Sequence, residues 1–142
     1  MEKMTKAEAF AFLGEKARSA KIATVREDGR PHVVPIWFML EGEMIIFTAW
    51  YTSIKVKNIT RDNRIALCID EDAPPYHYVT VEGRAEVMDK SKEASHYYAK
   101  TIAERYVGAE KAEILAGRYG IEGEWVFNLV VENVIAYRNV TD

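Results

Sequence analysis

Asp28-Gly29 sits between two apolar runs, and Pro35 stands in the middle of the second run. An Asp-Gly pair supplies the positive φ of a tight hairpin turn, so residues 21–26 and 31–40 read as two antiparallel strands. Pro35 has no amide hydrogen to give to a ladder, so the second strand must lie at a sheet edge or carry a bulge there. Such a break is tolerated most readily where a ligand takes the place of a neighbouring strand.

The rest of the chain continues the pattern. Glu41-Gly42-Glu43 is a turn, and residues 44–49 form the next strand. Residues 64–70 form another, followed by a loop that the double proline Pro74-Pro75 keeps irregular. A long strand spans 76–88, where Gly83 marks a bend or a close approach. The last strand spans 124–131, and 134–138 continues it or pairs with it. Thr5-Lys6-Ala7-Glu8 fits a capping box and starts a helix at Thr5 that ends near Ser19. Further helices are expected over 53–60, over 90–107 with Ser91 as its cap and Ala94, Tyr98, Ile102 and Tyr106 at spacings of four, and over 109–119. Short strands, tight turns and few helices imply a mainly β (α+β) fold, a small antiparallel barrel built as one domain over 1–142.

Composition narrows the function. The net charge is −3, which argues against a broad nucleic-acid footprint. A barrel gripping a single strand through Lys55, Lys57, Arg61 and Arg64 is a minor alternative. The single cysteine, Cys68, forbids an internal disulfide and reads as a small core residue of a buried strand. No apolar run approaches the roughly 20 residues that span a bilayer. The N-terminus reads as a charged amphipathic segment rather than a signal peptide, so the expected compartment is the cytoplasm.

Three constellations carry the chemistry. The first is the segment 47–58, where a strand gives way to a helix start carrying Ser53, Lys55 and Lys57. A helix start offers unpaired N–H groups and a positive dipole end, and with those side chains it makes a phosphate cradle. The same residues also fit a solvated surface helix. The second is Val34, Pro35, Ile36, Trp37 and Phe38, an apolar wall with exposed backbone groups suited to a planar ring; ordinary core packing explains it too. The third comprises Tyr76 and Tyr78, with Trp125 at the start of the last strand, which either cap a ligand or cover a sheet face. The three histidines have no metal-site spacing, and no nucleophile elbow, P-loop or Gly-x-Gly-x-x-Gly occurs. A chain without an evident catalyst of its own fits a cofactor that brings its own reactivity.

Together these stretches resemble a known family. Residues 23–38, then Ser53-Ile54-Lys55-Val56-Lys57-Asn58 with 62–67, then Val81-Glu82-Gly83-Arg84-Ala85 resemble the pyridoxamine 5'-phosphate oxidase-like, FMN-binding split-barrel family. The resemblance covers about residues 20 to 138, and its order and spacing are more specific than any one motif. It implies a six-stranded antiparallel split β-barrel with flanking helices, forming a homodimer. It also implies FMN, or alternatively the deazaflavin F420, in a groove at the dimer interface. Carried across, Thr48, Ser53, Lys55 and Lys57 hold the phosphate, with Phe47 and Asn58 counted in the same site. Val34, Pro35, Ile36 and Trp37 line the ring, and Tyr76, Tyr78 or Trp125 reach it from the partner subunit. Exposed aromatics such as Trp50, Tyr51 and Trp125 also favour a dimer. The implied activity is hydride transfer to or from a small unsaturated or planar substrate; the alternative is a flavin-binding or redox-sensing module without turnover. The C-terminus, 135–142, lacks the Arg- and His-rich pattern of the vitamin B6 oxidases, so that reaction is not expected.

Overall fold

In the computed structural model, which describes residues 1–142, the capping box at Thr5 is complete. The Thr5 hydroxyl accepts from the Glu8 amide at 3.1 Å and the Glu8 carboxylate accepts from the Thr5 amide at 3.0 Å. The helix it starts, α1 (Lys6–Glu15), follows a two-residue strand, β1 (Glu2–Lys3). It ends earlier than the periodicity predicts. Arginines explain why: Arg18 takes the Phe12 carbonyl, and Arg105 takes those of Leu13 and Lys16. The last carbonyls are thus satisfied without another turn of helix.

The hairpin forms as expected from β2 (Ala20–Val25) and β3 (Pro31–Ile36), with Lys21 opposite Pro35. β3 is an edge strand, which is why the proline fits there. The apolar run then breaks at Trp37-Phe38 and resumes as β4 (Met39–Glu41). Side chains from a distant helix cause the break. The Phe38 amide donates to the Tyr106 hydroxyl at 3.2 Å, and its carbonyl accepts from Arg105 at 2.5 Å. With both backbone groups satisfied by side chains, no ladder is needed.

The remaining elements are β5 (Met44–Trp50), α2 (Ile54–Arg61), β6 (Arg64–Glu71), β7 (His77–Asp89), α3 (Lys92–Val107), α4 (Ala109–Tyr119) and β8 (Glu124–Arg138). All six expected strands are present. The second is split in two, and β1 adds a short pairing with β8. The sheet is antiparallel throughout and runs β3-β2-β6-β7-β8-β5-β4, an open path rather than a closed ring. This is a split barrel with four flanking helices. β8 is one continuous strand that pairs with both β7 and β5, so the proposed second segment continues the first. The β7–β8 ladder shifts register at Glu82/Gly83. A Cβ on Gly83 would lie 1.9 Å from the Val130 carbonyl oxygen, so only glycine permits this approach.

Alternation builds the core. Ile65, Leu67 and Ile69 of β6 point inward, and Phe47 stacks on Phe127 at 5.3 Å between ring centroids. Cys68 lies between Leu67 and Ile69 on the opposite face and is only half-buried, so the core assignment for it is corrected by the period of two. α3 packs against β4, β5 and β8 and carries α4 on it, and Val126 and Ile46 are fully buried. No helix is long and apolar enough to cross a membrane.

Candidate functional site

Trp37, at the end of the edge hairpin, stacks on Tyr106 of α3 at 4.6 Å with the ring planes 4° apart. This contact fixes the rim of a groove of about 530 Å³. One wall is Pro35, Ile36 and Trp37. The opposite wall is apolar and comes from the helical hairpin: Ala99, Ile102 and Ala103 of α3, Leu115 and Tyr119 of α4. The polar floor is Thr48 of β5, Lys55 of α2 and Glu124 of β8.

The helix start is built as the sequence suggests. Ser53 is the N-cap, and its hydroxyl accepts from the Val56 amide at 3.4 Å. Lys55 lies in the first turn with its ammonium partly withdrawn from water. Burial pulls its pKa down, and Glu124 nearby opposes that pull. Burial pushes the Glu124 carboxyl up; the Thr48 hydroxyl beside it and the Lys55 charge act in the other direction. The field extends further, since burial, Arg26 and Lys55 together hold His32 below the usual imidazole range. His32 Nδ1 and Arg26 Nε are buried with no hydrogen-bond partner. A half-buried ammonium at a helix N-terminus fits a phosphate-bearing tail. The apolar slot between Trp37 and the helical hairpin fits a planar ring.

The expected site residues divide. Pro35, Ile36, Trp37, Thr48 and Lys55 meet in the groove. Ser53 stands at the helix start beside it, and Lys57 is exposed two residues beyond Lys55. Val34 is half-buried against the core. The Phe47 and Asn58 side chains do not line the groove. Phe47 is fully buried against Phe127, and Asn58 donates to Thr24 Oγ1 at 3.0 Å, tying α2 to β2. Tyr76 and Tyr78 do not line the groove of their own subunit: Tyr78 packs on Tyr137 at 5.9 Å, and Tyr76 follows the Pro74-Pro75 turn with φ 57°. Trp125 also lies outside it, between Tyr51 and the Lys90 ammonium, which sits 4.1 Å from its ring.

Two features escaped the sequence reading. The α3–α4 wall was legible only as an amphipathic pattern, with nothing to say what it faces. Glu124 stood in the sequence only as the first residue of the last strand. Its one signal is phase, since it shares a strand face with Val126, and both are buried.

An open antiparallel barrel with a basic helix start facing an apolar slot defines a split-barrel protein. Residues 5–136 match the family described as pyridoxamine 5'-phosphate oxidase, and the chain belongs to that family. Its structure is similar to that of a conserved hypothetical protein from Mycobacterium tuberculosis, with TM-score 0.80 and 23% identity over 98% of this chain and 89% of that one. It is also similar to an F420 reductase, with TM-score 0.67 and 25% identity over 87% of this chain and 94% of that one. A FAD-binding protein from Mesorhizobium loti shares the fold at TM-score 0.70 and 18% identity, over 95% of each chain. No curated protein is significantly similar to it in sequence.

Proposed function

We propose that this protein is a flavin- or deazaflavin-dependent oxidoreductase that binds FMN or F420 in the groove and passes a hydride to or from a small unsaturated or planar substrate. The observation that carries this reading is the meeting of Lys55 and the α2 start with the Pro35–Trp37 wall in one cavity. Likeness to an F420 reductase over most of both chains supports it and adds weight to the deazaflavin alternative.

When bound, the ring supplies the hydride chemistry. The chain's residues do the rest. Ser53, Lys55 and the free amides of the first turn of α2 hold the anionic tail, with Lys57 adding charge from the surface. Pro35, Ile36 and Trp37 orient the ring edge, and the α3–α4 wall excludes water from the reacting face, which strengthens each polar contact there. Trp50, Tyr51 and Ile54 are exposed beside this site, an apolar surface suited to a second copy. In such a homodimer Tyr76, Tyr78 or Trp125 of the partner would complete the groove. We place this activity in the cytoplasm, where reduced cofactors are regenerated.

The purified protein tests the reading through its absorption spectrum, with mass spectrometry of what it releases on denaturation. A flavin or deazaflavin spectrum, followed by bleaching or recovery on mixing with donors and acceptors, is the expected result. A colourless protein that takes up neither FMN nor F420 at micromolar concentration would end it.

A further inference from the structure

Glu124 is the one acidic residue on the groove floor, and its position is physically expensive. It is 9% exposed, and neither it nor Lys55 belongs to any ion pair of the chain. The two charges share the floor of one cavity and compensate each other only at a distance. The other groups around Glu124 do little to help it. α3 presents Ala99, Ile102 and Ala103, β3 presents Pro35, Ile36 and Trp37, and β5 presents Thr48; none of these titrates in the working range. α4 contributes the Tyr119 phenol, and α2 contributes Lys55, behind which stand His32 and Arg26.

An anion that docks on Lys55 changes this balance twice. It takes over the one positive charge that offsets Glu124, and it brings a like charge towards a carboxylate that has already lost its water. Both effects favour the neutral carboxylic acid. Binding and protonation are then linked, and the linkage is reciprocal.

We propose that Glu124 is a specificity-determining residue: it takes up a proton from solvent when an anionic ligand docks on Lys55, so the groove discriminates by ligand charge. The inference rests on the reading of Lys55 as the anchor of a phosphate tail. At a pH where Glu124 is ionised, a phosphomonoester, which is dianionic above its second pKa near 6, is penalised more than a singly charged phosphodiester. As the pH falls and Glu124 becomes neutral, affinity rises and the penalty fades.

The test is calorimetric titration of FMN and, separately, F420 into wild type, Glu124→Gln and Lys55→Ala, in buffers of different ionisation enthalpy between pH 5 and 8. His32 titrates in both proteins, whereas the bound phosphate is itself coupled to Glu124, so the difference between wild type and Glu124→Gln reads that coupled pair and the NMR midpoint below assigns the Glu124 share. Wild type should take up more protons per ligand than Glu124→Gln. Glu124→Gln should bind FMN about tenfold more tightly at pH 8, equivalent to roughly one pKa unit of coupling, and this advantage should shrink as the pH is lowered. The gain for F420 should be smaller. NMR titration of the wild-type Glu124 carboxyl, with and without ligand, gives the same answer without a variant: its midpoint should rise on binding. Lys55-dependent binding with equal proton counts and an unmoved midpoint overturns the role of Glu124 alone. No binding to wild type, or binding indifferent to Lys55→Ala, overturns both this inference and the cofactor reading beneath it.

Discussion

Trp37 lies flat on Tyr106, 4.6 Å between ring centroids and 4° between planes, although 69 positions separate them along the chain. The Tyr106 hydroxyl bridges two more backbone segments, accepting from the Phe38 amide at 3.2 Å and donating to the Arg18 carbonyl at 2.8 Å. One side chain therefore joins α3 to the edge hairpin and to the loop before β2, and in doing so sets the mouth of the groove.

Tyr106→Phe keeps the stacked ring and removes the bridge. Two part-buried backbone groups lose their partner, and the expected loss of stability is roughly 1–3 kcal/mol. Urea denaturation followed by fluorescence measures it. A midpoint equal to wild type would show that the bridge contributes nothing.

Gly83→Ala should be far worse tolerated than a typical surface change. The new methyl would meet the Val130 carbonyl oxygen at 1.9 Å, a backbone atom that cannot swing aside. Overpacking of this kind costs about 1–3 kcal/mol or more, and the rigid neighbour puts Gly83 at the top of that range. Thermal melting tests this, and an unchanged midpoint would remove the close approach from the account.

Asp62 is held well below the ordinary carboxylate range, at about 2, first by its hydrogen bonds with Arg64 and then by the charges of Arg64 and Arg61. The paired carboxylate is the stabilised form. A depressed folded-state pKa means that its contribution is fully present above the unfolded value near 3.9 and is lost as pH falls towards about 2. An NMR titration of the Asp62 carboxyl should give a midpoint at about 2 in wild type and a clear rise towards the ordinary value in Arg64→Ala. The same midpoint in both proteins would contradict the pairing.

Lys57 should matter less than Lys55. It is exposed and two residues further from the helix start, so water and salt screen its attraction for a phosphate. Lys57→Ala is expected to weaken FMN or F420 binding by less than about fivefold, within the range of exposed charge pairs. That effect should fade as salt is raised. A loss equal to that of Lys55→Ala would show that the tail lies outside the groove.

The parts of this protein written in short-range chemistry were readable from the sequence. The Thr5 and Ser91 caps, the helix over Ala109–Tyr119, the Asp28-Gly29 turn and the edge position of Pro35 each depend on neighbours a few residues away. The break at Trp37-Phe38 depends on Tyr106 and Arg105, so no local signal announced it. Cys68 occupies an apolar run in which only the strand phase, not its composition, separates core from rim. Glu124 stayed hidden because β8 is buried on both faces where it starts, and a strand covered on both sides loses the apolar–polar alternation that would mark an inward carboxylate. The cradle at Ser53 and Lys55 was legible as a helix start, whereas its opposite wall needed the fold.

The central claim is that a cofactor's anionic tail docks on Lys55 at the start of α2. Equilibrium titration of FMN and F420 into wild type and Lys55→Ala tests it most directly. At least one of the two should bind wild type at micromolar concentration. Lys55→Ala should then bind it more weakly by at least about tenfold, since a charged hydrogen bond is worth roughly 1.5–3 kcal/mol. Identical dissociation constants for the two proteins, or no uptake of either cofactor by wild type, would contradict it.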